Sequence, residues 1–395
     1  MKNSRNWKIT GTVAVAAMLL TACGGDDATS AESDEPIKIG AIMDQSGATG
    51  DVGAPYSEGV VAYVEYINDN GGINGRMIEA DVNDYAYEIP QAEDLYRRYV
   101  NDGAVAIMGW GTGDTEALRT RVANDELPFI SGSFSEELTD VEESPYNFLI
   151  APTYSDQMRV ALNWIAEQDS GATVAVLHND SPFGTSPVAD GQAWVEEEGL
   201  DLEFSSHPIP SGTTNFTGLL SQVSDADYII VQDVAAPASQ LARDINSQGS
   251  DQTIVCLNWC SSELFVTSAG DAAEGHMMIQ PIAPLSADKP GHEPIVEYLE
   301  EQGSDPSEEV VSFVQGWYAM HVMSEGIRHT LEQEEDLTGP NIREALETMG
   351  PIDTGEVIGD GTVEFSPDSH RGTVFSGIYQ VEDGQLTEVE AGVQP

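Results

Sequence analysis

Ile37-Lys38-Ile39-Gly40-Ala41-Ile42-Met43 reads as a buried strand, short and almost wholly apolar. Beyond it, Tyr56, Val60, Tyr63, Val64 and Ile67 recur on one helical face. Pro55 is expected to open that helix, where its missing N–H would be unpaired anyway, and Gly71-Gly72 to end it. Asn74-Gly75 then marks a tight turn before Ile78-Glu79-Ala80-Asp81-Val82, in which apolar and acidic residues alternate. This is a strand–helix–strand unit, and the rhythm repeats outward from it. Pro90 opens a second helix with Ala92, Leu95, Tyr96 and Tyr99 facing inward. Ala104 to Met108 and Leu127 to Ser131 are the next strands, with a helix around Glu116 to Asn124 between them. The pattern restarts with strands at Thr173 to His178, Leu202 to Ser206, Tyr228 to Gln232, Thr253 to Leu257 and Met277 to Gln280. Val310 to Leu331 is a long helix, and Val363 to Val381 reads as antiparallel strands. Such alternation builds parallel sheets covered by helices on both faces, so two runs of it predict an α/β chain of two doubly wound lobes.

Length agrees, since 395 residues suit two domains better than one. The charge is extreme: 68 Asp and Glu oppose 15 Lys and Arg, a formal charge of −53. A field of that sign repels nucleic acid, which excludes it as a partner. The chain is still expected to fold, because 40% of it is apolar and the apolar runs are periodic. Self-repulsion opposes so acidic a fold, and a Debye length of only ~3 Å in ~1 M salt would relieve it. A salt-rich source is therefore expected, an ordinary acidic protein being the alternative.

The first 22 residues read as an address. Lys2, Arg5 and Lys8 precede an apolar run, Ile9 to Leu20, too short to span a bilayer but suited to a signal-peptide core. Leu20-Thr21-Ala22-Cys23-Gly24 resembles the lipobox of bacterial lipoproteins. That resemblance implies lipidation of Cys23 and an extracytoplasmic, membrane-anchored chain. Residues 23–36 are polar and acidic, as a tether would be. The remaining cysteines, Cys256 and Cys260, are spaced so that a helical turn would let them pair; a disulfide is expected, two buried thiols being the alternative. No metal site is expected there, since two ligands are too few and no His cluster is nearby.

Ligands of parallel α/β sheets bind just beyond the carboxyl ends of the strands. After the third strand comes Gly109-Trp110-Gly111-Thr112-Gly113-Asp114 and then a helix. Its glycines let backbone N–H groups approach a ligand, or merely make a tight turn; neither a dinucleotide fingerprint nor a P-loop is met. After the fourth comes Ser131-Gly132-Ser133-Phe134-Ser135, whose hydroxyls suit a carboxylate or amide, or else cap the next helix. Trp110, Phe134, Phe183 and Trp259 sit on or beside these loops and suggest aromatic walls for a flat or apolar ligand.

Ile37-Lys38-Ile39-Gly40-Ala41, Gln45-Ser46-Gly47, Ile67-Asn68 and Gly71-Gly72-Ile73-Asn74-Gly75-Arg76 closely resemble the branched-chain-amino-acid-binding family of ABC importers. Later anchors are His178-Asn179-Asp180, Phe183-Gly184 and Thr214-Asn215-Phe216. The resemblance implies a type I periplasmic-binding fold with three chain crossings near Pro152, Pro281 and Pro351. One lobe would hold residues 37–152 and 282–350, the other 153–281 and 351–395. It further implies capture of a small carboxylate, amide or hydrophobic amino acid for a membrane permease, without a cofactor. Thr112, Gly113, Ser133 and Ser135 match the family's carboxylate grip. The family's carboxylate for the ligand α-ammonium falls at the neutral Asn258, and pocket tyrosines fall at Phe183, Val52 and Val234. An amide is weaker there than a charge-assisted partner, so simple carboxylates or amides are expected to bind better than leucine, isoleucine or valine, unless Asp233 supplies the charge. A sensor of the same fold is the alternative function. A hydrolase is less expected: Asp353-Thr354-Gly355 is a lone short match to aspartic proteases, and no Gly-x-Ser-x-Gly or zinc helix is present, so no catalytic residue is assigned.

Overall fold

The computed structural model describes residues 35–395. The expected signal peptide, the lipidation site Cys23 and most of the tether lie outside the described residues. The first lobe holds strands β1 (Ile37–Met43), β2 (Ile78–Asp84), β3 (Ala106–Gly109), β4 (Phe129–Ser131) and β5 (Asn147–Phe148), in the order β2-β1-β3-β4-β5. Every pairing in this sheet is parallel. Helices α1 (Gly50–Asp69), α2 (Ile89–Asp102) and α3 (Thr112–Asp125) connect its first four strands. The chain then crosses to α4 (Tyr154–Gln168), β6 (Ala172–Asn179), α5 (Pro182–Thr185), α6 (Val188–Glu197), β7 (Leu202–Ile209), α7 (Thr217–Leu220), β8 (Tyr228–Gln232), α8 (Ala235–Gln248), β9 (Thr253–Cys256), α9 (Glu263–Ala269) and β10 (Met277–Gln280). It returns to the first lobe as α10 (Glu293–Gln302), α11 (Val311–Glu332) and α12 (Gly339–Thr348), makes the short pair β11 (Ile352–Asp353) and β12 (Thr362–Val363), and ends as β13 (Ser376–Glu382) and β14 (Gln385–Val393). The second sheet is ordered β14-β13-β10-β9-β8-β6-β7, with β13 antiparallel to both its neighbours, β10 and β14, and every other pairing parallel.

Two glycines explain how α11 belongs to the first lobe. A Cβ on Gly59 of α1 would stand 2.0 Å from the Phe313 carbonyl oxygen, and one on Gly316 of α11 would stand 1.9 Å from that of Tyr56. The helix backbones therefore touch, burying Tyr56, Val60, Val314 and Trp317 in one core. The Asn74-Gly75 turn is as expected: both residues have positive φ, and Ile73 and Arg76 exchange two backbone hydrogen bonds of 2.9 Å.

Three expectations are corrected. Pro55 lies inside α1, which starts at Gly50, so it forfeits a helical hydrogen bond instead of occupying a position that has none to lose. The stretch after Pro351 does not enter the second lobe at once: Ile352, Val357, Ile358, Val363 and Phe365 join the first lobe's core, and the passage to the second sheet comes between Val363 and Ser376. Cys256 and Cys260 are free, buried thiols and not a disulfide. The segment is no helical turn. Cys256 ends an extended strand, and the Cys260 thiol is turned onto the carbonyl oxygens of Val231 and Leu257, at 3.3 and 3.4 Å.

Candidate functional site

The lobes meet at the carboxyl ends of their strands, around a cavity of about 10 Å³, room for about one water. The first lobe lines it with Thr49, Tyr87, Trp110, Gly111, Thr112 and Gly132; Tyr154, Phe183, Val234 and Trp259 close it from the other side. A larger apolar groove of about 420 Å³ runs past Val266, Leu285 and Leu386, but it touches none of these strand-end loops. A wider, charged cavity of about 840 Å³ also lies between the lobes, but it reaches only the rim, from Glu116 and Ser135 to Ser186. The small cavity, walled by strand-end loops of both lobes, is the candidate site.

Trp259 dominates it. The turn after β9 carries this indole into an aromatic cup of the first lobe, 4.5 Å from Trp110 and 6.1 Å from both Tyr56 and Phe134, parallel to the latter. Its Nε1 donates to the Tyr154 hydroxyl at 2.9 Å. Trp110 is anchored in turn, donating from Nε1 to Thr49 Oγ1 at 2.8 Å. Phe183 reaches the cavity because Gly184 packs on the backbone of Asn179, where a Cβ would lie 1.9 Å from its carbonyl oxygen. An amino-acid-sized ligand enters only when the lobes part or Trp259 swings away.

The expected residues divide into three groups. Trp110, Thr112 and Phe183 line the cavity. Ser133 backs it, donating to Thr112 Oγ1 at 2.9 Å, and Phe134 supports Trp259 from behind. Gly111 precedes α3 without a side-chain cap, which leaves the helix's first N–H groups facing the loop. The other residues stand apart. Gly113 packs toward Pro182, 3.6 Å from where its Cβ would be, and does not line the cavity. Ser135 sits on the rim, donating to Glu116 Oε1 at 2.7 Å and accepting from Ser186 of the other lobe at 3.3 Å. Asn258 lies in a buried amide cluster at the crossings. Its Oδ1 accepts from Gln315 Nε2 at 2.7 Å, its N–H donates to Gln157 Oε1 at 3.1 Å, and its carbonyl accepts from Gln280 Nε2 at 3.2 Å. Only its Nδ2 is left without a partner among the described residues, and Asn258 is not among the residues that line the cavity. Asp233 is buried beside Val234, its Oδ1 taken up by the Val234 N–H and Asn179 Nδ2, and burial pushes its carboxyl up to about 6.

Sequence reasoning missed Thr49, Tyr87 and Tyr154. The first two follow β1 and β2, where the strand-end rule applies as it did to the loops after β3 and β4. Tyr87, with φ of 59°, follows Ala86 at 51°, a left-handed pair of non-glycine residues that holds its ring at the cavity. Asp51 was also missed: its Oδ2 accepts from the Ala236 N–H of α8 at 2.9 Å, from one lobe to the other. Asp353, of the protease-like triplet, is the exposed last residue of β11, accepting from the Gly355 N–H at 2.8 Å.

Among the described residues, no helix is long and apolar enough to cross a membrane. Comparison with known proteins agrees with this architecture. The leucine-, isoleucine-, valine-, threonine- and alanine-binding protein of Pseudomonas aeruginosa is 23% identical over 315 residues, covering 78% of this chain and 82% of that one. The crystal structure of a branched-chain amino acid ABC transporter protein from Thermus thermophilus with bound valine superposes with a TM-score of 0.86 at 24% identity, covering 90% of this chain and 96% of that one. An ABC transporter substrate-binding protein from Aeropyrum pernix gives 0.81 at 26% identity, with the same coverage. Residues 36–385 match the family model described as periplasmic binding protein, and with so much of its length matched the chain belongs to the periplasmic binding protein family.

Proposed function

We propose that this chain is the extracytoplasmic solute-binding component of an ABC importer, which captures a small amino-acid-type ligand between its lobes and presents it to a membrane permease. The observation that carries the reading is the cleft itself. Each lobe contributes strand-end loops to one wall, and residues of both are already in hydrogen-bonding contact across it. The Thr112 and Ser133 hydroxyls and the uncapped start of α3 suit a carboxylate, while Trp110, Phe183 and Trp259 suit an apolar body. The relatives named for branched-chain amino acids point to the same ligand class.

The lipid anchor at Cys23 belongs to this proposal, on the strength of the lipobox-like Leu20-Thr21-Ala22-Cys23. Cys23→Ser is expected to leave a form that takes up no labelled fatty acid; labelling that persists would refute the anchor. For the function, deletion of the gene is expected to abolish import of labelled leucine, isoleucine or valine, with restoration by the wild-type gene. Unchanged import of all three would refute the proposal as stated.

A further inference from the structure

The carboxylate of Asp114, in the first turn of α3, is 2% exposed. Its Oδ1 accepts from the Tyr85 hydroxyl at 2.6 Å, and the backbone at Gly111 and Asp114 adds some support to the carboxylate, but among the described residues its Oδ2 makes no hydrogen bond of normal geometry. An unpaired oxygen on a buried carboxyl is costly, and native proteins seldom keep one without a use. The group lies directly behind the cavity wall. A Cβ on Gly111 would stand 2.3 Å from Asp114 Oδ1 and 2.7 Å from Tyr87 Cε2, and Gly111 and Tyr87 both line the cavity.

The surroundings lean the same way. Among the described residues no Lys or Arg lines the cavity, whereas burial raises the carboxyls of Asp114 behind Gly111, of Asp233 next to Val234, and of the half-buried Asp51. A site whose buried ionisable groups are acids, with no cation among its lining residues, favours a ligand that brings positive charge. Of the three, Asp51 is spent on Ala236, and Asp233 Oδ1 already takes two N–H donors. Asp114 has an oxygen to spare.

We propose that Asp114 accepts the ammonium group of the ligand from the first lobe, the absent side chain of Gly111 letting the two approach. This makes the ligand a zwitterion, its carboxylate at Thr112 and the start of α3 and its nitrogen at Asp114. The inference rests on the proposed capture of an amino-acid-type ligand.

The test compares whichever of leucine, isoleucine, valine, threonine and alanine binds tightest with its desamino counterpart, the carboxylic acid of the same skeleton. Calorimetric titrations are run on the wild type, Asp114→Asn and Asp114→Ser, each checked for native circular dichroism. The wild type is expected to prefer the amino acid. In either variant the amino acid should weaken roughly 30- to 300-fold, as for loss of one partner of a buried charged pair, while the desamino acid changes less than about threefold and the preference collapses. Equal effects on both ligands, or none, overturn the role of Asp114 and leave the capture proposal standing. If the wild type binds none of the five amino acids, the capture proposal fails and this inference falls with it.

Discussion

Asp51→Ala should weaken ligand binding by loosening closure, with little effect on either lobe. Asp51 belongs to α1 of the first lobe; the N–H it accepts from, Ala236 at 2.9 Å, is at the start of α8 in the second. The residue preceding α8, Val234, offers no side-chain cap, so the carboxylate of one lobe does that work for a helix of the other. Capping side chains are worth about 0.5–2 kcal/mol, and a negative charge at a helix start adds about 0.3–1 kcal/mol where exposed. Burial opposes these gains: it raises the Asp51 carboxyl, so the ionised form loses hydration on closure. The net loss should be near 1 kcal/mol, about fivefold in the dissociation constant. Because the contact exists only with the lobes together, the whole of it should appear in affinity. Asp51→Asn, which keeps an acceptor and sheds the desolvated charge, should lose less. Calorimetry gives the affinities, and the unfolding midpoint without ligand gives the control. If Asp51→Ala binds as tightly as wild type, the contact is not a closure latch. Equal weakening of affinity and of ligand-free stability would refute the reasoning as well, by placing the contact in the ground state of both forms.

Cys256 and Cys260 should both react with an alkylating agent after denaturation without reductant, and reductant should leave the melting midpoint unchanged; a single protected pair by mass spectrometry would contradict the free thiols. His276 accepts from the Ile254 N–H through Nδ1 at 3.2 Å, and burial pushes its pKa down to about 4. A depressed folded-state value means that its contribution is present above the unfolded value near 6.5 and is lost as pH falls toward 4. His276→Asn, which retains an acceptor and does not titrate, should therefore flatten the stability–pH profile between 6.5 and 4, and an unchanged profile would refute this. With 68 acidic residues against 15 basic ones, the chain should melt higher as sodium chloride is raised toward ~1 M, where screening is nearly complete; a flat or falling midpoint would argue against the salt-rich setting.

The parallel strands were legible because burial on both faces makes them near-continuous apolar runs, as in Val174 to Leu177 and Ile229 to Val231. Glycine and proline punctuation placed their ends to within a few residues. The two-residue strand β5 carries no period to read, and the first-lobe packing of Ile352 to Phe365 is a long-range matter. At the site, strand-end logic found the loops of Trp110, Thr112 and Ser133 but not what each side chain does within them. Whether Ser133 or Ser135 turns inward depends on local backbone that residue type does not reveal. The match of Asn258 to a family position gave it a ligand role, whereas three glutamines from distant parts of the chain draw it into the crossings. Trp259 was noted as a cleft aromatic, but its insertion between Trp110 and Phe134 depends on how the lobes meet. By sequence Asp114 is only the end of the loop before a helix; the burial of its Oδ2, which residue type does not reveal, sets it apart.

The central claim is that this cleft captures an amino-acid-type ligand, and it is tested most directly by titrating the purified chain. The protein should first be unfolded and refolded to strip any carried ligand, then titrated in concentrated salt with leucine, isoleucine, valine, threonine and alanine by calorimetry. The account predicts saturable one-to-one binding of at least one of them, with a rise of about 2.7 kcal/mol in stability at 100 times its dissociation constant. Natively refolded protein that gives no binding heat and no stabilisation with any of the five would contradict it.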